Sequence, residues 1–299
     1  MQARSARSET VRAFEDVGLR VLRWAGREPG FVLVHGLASN ALLWEGVAEA
    51  VSGHESGPAV TAIDLRGHGE SAVPESGYDT ATAAADVAAV MSSLGLGGAV
   101  VAGQSWGGNV VVELAAAHPD LVAGIALVDG GWIQLSDTFP DWESVRGALT
   151  PPDLSKRTWP AMATFMRSAH PDWEDWAIEA TMANLRQLPD GMIRARLALG
   201  QHLSILRSMW DHPITERFPA VRAPALLVPA GARVDPKRTA VDVAAAALPD
   251  SEVRWFEGAD HDVHAQHPDR LAQDLLGLAE RVGLVGGAST PASTEFGHP

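Results

Sequence analysis

The tightest constraint on the fold is a rhythm. Short apolar runs at residues 31–34, 59–64, 99–103, 124–129, 225–228 and 253–256 recur along the chain. Helical patterns at 80–94, where there is no breaker, and at 106–117, 238–248 and 269–282 separate or follow them. Runs this short, apolar without alternation and spaced by helices, read as strands buried on both faces. Helical crossovers between such strands make the sheet mostly parallel and cover it on both sides. Residues 11–16 and 19–24 precede this pattern and read as an antiparallel hairpin across Val17-Gly18.

One stretch breaks the rhythm. Residues 130–220 contain no convincing buried strand, and Pro151, Pro152, Pro160, Pro171, Pro189 and Pro213 punctuate them. Six of the ten tryptophans fall there: Trp132, Trp142, Trp159, Trp173, Trp176 and Trp210. The expected organisation is a core of residues 1–130 and 221–285, a helical cap of residues 131–220, and a disordered tail at 286–299 rich in Gly, Ala, Ser, Thr and Pro.

Composition narrows the partners. With 37 acidic and 23 basic side chains the formal charge is −14. Such a surface repels phosphate backbones and anionic membranes, so neither nucleic acid nor a membrane is an expected partner. A neutral or apolar small molecule is easier to accommodate. The 299 residues include no cysteine, which removes disulfides, thiolate metal sites and cysteine nucleophiles. No secretory signal and no membrane-length apolar run is visible, and a cytoplasmic location is the expectation.

Gly103-Gln104-Ser105-Trp106-Gly107 fits G-x-S-x-G directly after an apolar run and directly before a helical pattern. A sharp strand–turn–helix junction puts the serine hydroxyl clear of the sheet at a helix N-terminus, where backbone N–H groups favour a developing oxyanion. The glycines on either side are there because a Cβ would clash. Ser105 is therefore the candidate nucleophile, against the plain alternative of a chance match in a glycine-rich chain.

From about residue 11 to 282 the chain resembles the α/β-hydrolase superfamily, whose fold is a mostly parallel eight-stranded sheet flanked by helices, here with an inserted α-helical cap. His35-Gly36-Leu37 resembles that family's oxyanion loop. The resemblance implies that the N–H groups of Leu37 and Trp106 bind the oxyanion. The segment Asp64-Leu65-Arg66-Gly67-His68-Gly69-Glu70-Ser71 resembles a structural turn of the family. Gly258-Ala259-Asp260-His261, followed by Pro268, resembles the motif that carries the general base. His261 is the expected base, while His264 and His267 are expected on the following turn or helix. Asp260 and Asp262 are read as solvated.

The base requires an orienting carboxylate. In the family it commonly follows the strand that 225–228 resembles, about two positions nearer that strand than Asp235. Arg233 stands there instead, and a guanidinium has only donors. Asp129 closes the run 124–129, 24 residues after Ser105, at a place some family members use. Asp129 is the preferred acid and Asp235 the alternative, and for Asp129 a turn cap is the plain reading.

These residues imply acyl transfer without metal or cofactor, on a bulky hydrophobic ester or lactone. Family members with the acid at the Asp129 place include lactonases that open the macrolactone zearalenone. Epoxide hydrolases and haloalkane dehalogenases resemble this architecture but use aspartate where Ser105 stands. The epoxide hydrolases also use cap tyrosines, and the sole tyrosine, Tyr78, lies outside 131–220. Gly36, Trp132, Trp210, Met162 and Phe165 are the candidate substrate contacts; the alternative is that the cap side chains only pack the cap onto the body. A carbon–carbon bond hydrolase or thioesterase, or a non-catalytic ligand-binding protein on this fold, remain as alternatives. A homo-oligomer through cap tryptophans is a further possibility.

Overall fold

A computed structural model describes residues 6–232 and 238–286. Ten strands and eleven α-helices are laid out over them. The strands β1 (Arg7–Arg12), β2 (Gly18–Trp24), β3 (Arg27–Val34), β4 (Pro58–Ile63), β5 (Ala99–Gln104) and β6 (Val122–Val128) are followed, after an insertion, by β9 (Ala225–Val228) and β10 (Ser251–Val253). They form one eight-stranded sheet in the order β1-β2-β4-β3-β5-β6-β9-β10. β1 and β2 pair antiparallel, as do β2 and β4, and every other neighbour pair is parallel.

Burial explains the near-continuous apolar runs. Every residue of β4 and of β5 is buried, because helices cover both faces. One apolar cluster joins the sheet to α2 (Thr80–Leu94), α3 (Trp106–Ala117) and α9 (Arg238–Ala247) through side chains such as Val87, Val110 and Val241. The opposite cluster joins it to α1 (Glu45–Ser52) and α11 (Pro268–Arg281) through Val47, Leu271 and Leu275. The chain leaves β3 toward β4 and leaves β5 toward β6, so neighbouring strands send their loops in opposite directions. That divergence opens a crevice outside the carboxyl ends of β3 and β5.

Between β6 and β9 lie α4 (Leu135–Thr138), α5 (Trp142–Leu149), α6 (Trp159–Ala169), α7 (Asp175–Met182) and α8 (Leu199–Asp211). Two short antiparallel strands, β7 (Leu185–Gln187) and β8 (Ile193–Ala195), separate α7 from α8. The insertion crosses the carboxyl ends of the sheet. Asn40, after β3, donates to Ala180 O; Arg196 donates to Gly69 O after β4; His170 reaches Asp260 beyond β10.

Several local expectations need correction. The first strand is Arg7–Arg12 rather than 11–16, because Phe14–Asp16 form a 3-10 turn with Glu15 and Asp16 at positive φ. The 130–220 stretch does contain strands, β7 and β8; each buries one end residue, Leu185 and Ile193, and three residues are too few to show a period. The last strand is Ser251–Val253, and Phe256 joins the sheet edge only by a bridge to Ala230. The tail expected at 286–299 lies, beyond Gly286, outside the described residues. Among the described residues no helix is long and apolar enough to cross a membrane.

Candidate active site

At the carboxyl end of β5 the backbone turns sharply. Ser105 sits at φ 54°, ψ −125°, a conformation that an L-residue keeps only when its surroundings enforce it. They do so on both sides. Ser105 N donates to Val128 O at 2.9 Å, and Gly108 N donates to Ser105 O at 2.9 Å. A Cβ on Gly103 would collide with Gly107 O, and one on Gly107 with His35 O, so only glycine admits this crossing of strand, helix and neighbouring loop. Ser105 is the N-cap of α3, half-buried at the helix N-terminus.

The loop after β3 runs beside it. A Cβ on Gly36 would come within 2.9 Å of the Ser105 Cβ. Two buried histidines fix this loop. Leu65 N donates to His35 Nε2 at 3.0 Å, so the proton of the ring is on Nδ1, which lies 2.7 Å from Gly36 O and donates to it. The Gly36 carbonyl is thereby held toward His35, and the Leu37 N–H of the same trans peptide points the other way. Ala38, at φ 57°, donates its N–H to His68 Nε2 at 3.2 Å, and His68 Nδ1 donates to Arg66 O at 2.9 Å. Both rings are neutral in this arrangement. Burial pushes both below the ordinary histidine range, and His68, also facing His35, falls to about 3. Neither the Leu37 N–H nor the Trp106 N–H has an acceptor among the described residues.

The turn after β4 carries the charges that hold this scaffold. Asp64 is fully buried and accepts from Arg20 Nε at 2.6 Å, Ala41 N at 2.7 Å and Glu70 N at 2.8 Å. Arg66 grips Asp86 of α2 with two bonds, at 2.6 and 2.9 Å. His68 and its neighbours are framework, as the sequence implied.

Asp129 ends β6 at φ 42° and is 5% exposed. Both carboxylate oxygens are engaged: Oδ1 accepts from Ala230 N at 2.9 Å, and Oδ2 lies 2.6 Å from His261 Nδ1. The sheet brings together two residues 132 positions apart in the chain. With Nδ1 turned to the carboxylate, Nε2 of His261 is the nitrogen left for proton transfer. Asp235 and Arg233 lie outside the described residues. His264, on α10 (Val263–Gln266), is fully buried against Trp44 at 4.6 Å between ring centroids. Asp260 is exposed, as expected, and meets His170 Nδ1 at 3.3 Å, whereas Asp262 differs from expectation: it is desolvated, which raises its carboxyl.

The candidate substrate contacts scatter. Trp132 is buried in the main core cluster, and Trp210 packs against that cluster. Met162 packs instead on a smaller cluster that joins the insertion to Leu43 and Ala265 of the body. Phe165 is 56% exposed and belongs to neither. Two residues that sequence reasoning passed over prove central to the scaffold. Gln104, inside the motif itself, donates to His261 O. Asn109, one turn into α3, accepts from Gly131 N at 3.1 Å and donates to Ile133 O at 2.9 Å, pinning the loop after Asp129. Their only sequence signal was a polar side chain in an otherwise apolar elbow and helix face.

The alpha/beta hydrolase fold family matches residues 29–268, which span both loops, the elbow and His261. The chain belongs to the α/β-hydrolase fold family. Within it, 112 residues are 38% identical to an esterase of Mycobacterium tuberculosis, covering 37% of this chain and 36% of the esterase. Another 116-residue match is 34% identical to a 2-(acetamidomethylene)succinate hydrolase of Mesorhizobium japonicum, covering 38% and 41%. The chain therefore matches about two fifths or less of the length of these curated relatives. A non-heme chloroperoxidase of Streptomyces lividans is 29% identical over 91% of this chain and 99% of its own. Among solved structures, an E-2-(acetamidomethylene)succinate hydrolase superposes with TM-score 0.76 at 23% identity, covering 92% and 99% of the two chains. The M. tuberculosis esterase superposes with TM-score 0.71 at 25% identity, covering 92% of each. This α/β-hydrolase thus shares its fold, over 92% of the chain, with an enzyme named as an esterase and one named as a 2-(acetamidomethylene)succinate hydrolase.

Proposed function

We propose that the protein is a serine hydrolase acting on a carboxylic ester or lactone. The observation that carries this reading is the 2.6 Å contact between Asp129 and His261 beside a serine on a strained elbow. Ser105 Oγ attacks the substrate carbonyl while its proton passes to His261 Nε2. Asp129 orients the ring and stabilises the imidazolium. The oxyanion forms against the N–H groups of Leu37 and Trp106. The C–O bond to the alcohol breaks, and His261 returns the proton to the departing oxygen. Water then attacks the acyl-enzyme, gives a proton to His261, and the acid leaves as Ser105 recovers its hydrogen.

In the same reading residues 131–220 act as the cap that selects substrate, and the acyl or alcohol part is bulky and hydrophobic, such as an aromatic ester or a macrolactone of the zearalenone kind. The tryptophans and methionines of the insertion are the side chains available to meet such a substrate. The kinship with a 2-(acetamidomethylene)succinate hydrolase favours hydrolysis of an N-acylated acid of that kind as a second reading. A panel of p-nitrophenyl esters, aromatic lactones including zearalenone, and N-acyl amides, run with Ser105→Ala, tests all of these. Hydrolysis abolished in the variant is the expected result. Undiminished turnover in Ser105→Ala overturns the proposal.

A further inference from the structure

We propose that Gln104 is a positioning residue for His261, tying the loop that carries the base to the nucleophile elbow; this rests on the serine-hydrolase reading above. Gln104 is the last residue of β5 and is 2% exposed. Its Nε2 donates to the His261 carbonyl oxygen at 3.1 Å. Its Oε1 lies against the Cα of Gly36, so closely that a Cβ on Gly36 would collide with it. One buried amide therefore touches the loop that supplies the base and the loop that supplies an oxyanion donor.

The need for such a tie follows from exposure. The His261 side chain is 51% exposed, and packing alone does not hold an exposed ring. Asp129 Oδ2 holds the ring at Nδ1. That bond fixes one ring nitrogen and does not by itself set the backbone behind the ring. Gln104 fixes that backbone. Gln104 and Val128 are register partners on the adjacent strands β5 and β6, so the backbone anchor and the ring anchor issue from neighbouring positions of one rigid sheet edge. Held at carbonyl and Nδ1, His261 has its Nε2 set relative to Ser105, the residue after Gln104. The chemistry of the amide suits both contacts: it donates to a carbonyl through one end and packs a small oxygen against a glycine with the other. Glutamate offers the carbonyl no donor, and methionine keeps the volume without the bond.

The test compares wild type, Gln104→Met and Gln104→Glu. Amide hydrogen exchange over residues 257–263 is expected to quicken by about tenfold in both variants, because the loop loses its tie to the sheet. For a p-nitrophenyl ester, kcat is expected to fall roughly 10- to 100-fold while KM stays within about twofold, as a misplaced base slows chemistry without touching the substrate. In an Asp129→Asn background the further loss from Gln104→Met is expected to be under about threefold, since both anchors act through the same ring. Thermal unfolding monitors folding, and Gln104→Asn, too short to reach, serves if Gln104→Met does not fold. Loop exchange within about twofold of wild type overturns the proposal, and so does a loss expressed only in KM. If Ser105→Ala keeps turnover, the hydrolase reading fails, while the loop exchange still decides the tie.

Discussion

The sheet edge and the insertion hold their side chains by different means. At the sheet edge, each loop carrying a candidate catalytic group is fixed by a hydrogen bond to a buried side chain: His35 and His68 under the oxyanion loop, Gln104 behind His261, Asn109 behind the loop after Asp129. In the insertion, α6 has no buried residue at all. Its flank is held by exposed pairs such as Arg167–Asp175 at 3.4 Å and His170–Asp260 at 3.3 Å, which contribute little in water. The difference teaches a division of labour. Geometry that must hold to a fraction of an ångström is built on strands, and contacts that need only exclude water and fit a shape are left to loosely held helices.

The sharpest break in this comparison is Ser105→Ala. If the sheet edge carries the chemistry, ester hydrolysis falls by about 10⁶-fold with the melting temperature unchanged, measured by initial rates and thermal unfolding. Asp129→Asn comes next, with kcat expected to fall about 10⁴-fold, because an amide there favours the wrong tautomer of His261. Asp235→Asn is expected to leave kcat within about threefold. The reverse pattern would move the acid to the loop after β9.

A smaller effect reads a buried histidine through pH. His264 is fully buried, and neither ring nitrogen has a hydrogen-bond partner among the described residues; burial lowers it to about 3. The folded state therefore refuses a proton that the unfolded chain accepts below about pH 6.5. Stability is complete above that pH and is lost as pH falls toward 3, by up to about 1.4 kcal/mol per pH unit for one such group. His264→Phe removes this group, so the slope of unfolding free energy against pH between 6.5 and 3 is expected to flatten by about one proton in urea titrations.

The same contrast governed what could be read from the chain. The parallel core was legible because buried strands leave unbroken apolar runs and because the elbow glycines have no alternative. The G-x-S-x-G motif pointed to Ser105, the resemblance to the family pointed to His261 and Asp129, and the structure brings the last two into contact. The hairpin β7–β8 was invisible because two strands of three residues show no period. Gln104 and Asn109 were passed over because a single polar residue in an apolar segment carries no sign of its partner, and both partners are backbone atoms remote in sequence. The desolvated Asp262 was misread because flanking sequence does not report what packs over a loop.

The smallest effect belongs to the insertion. Phe165 is 56% exposed and stands outside the apolar clusters, so Phe165→Ala deletes little burial, and unfolding free energy is expected to change by less than about 0.5 kcal/mol. Met162 packs on the cluster that seats the insertion on Leu43 and Ala265, and Met162→Ala is expected to cost about 1–2 kcal/mol there. If α6 meets substrate, both variants raise KM for a bulky aromatic ester several-fold and leave kcat and the turnover of p-nitrophenyl acetate unchanged, because a short acyl group does not reach the insertion. A fall in kcat for the short ester would show that α6 is coupled to the base loop after all, most directly through His170 and Asp260, and the division between rigid edge and loose cover would have to be redrawn.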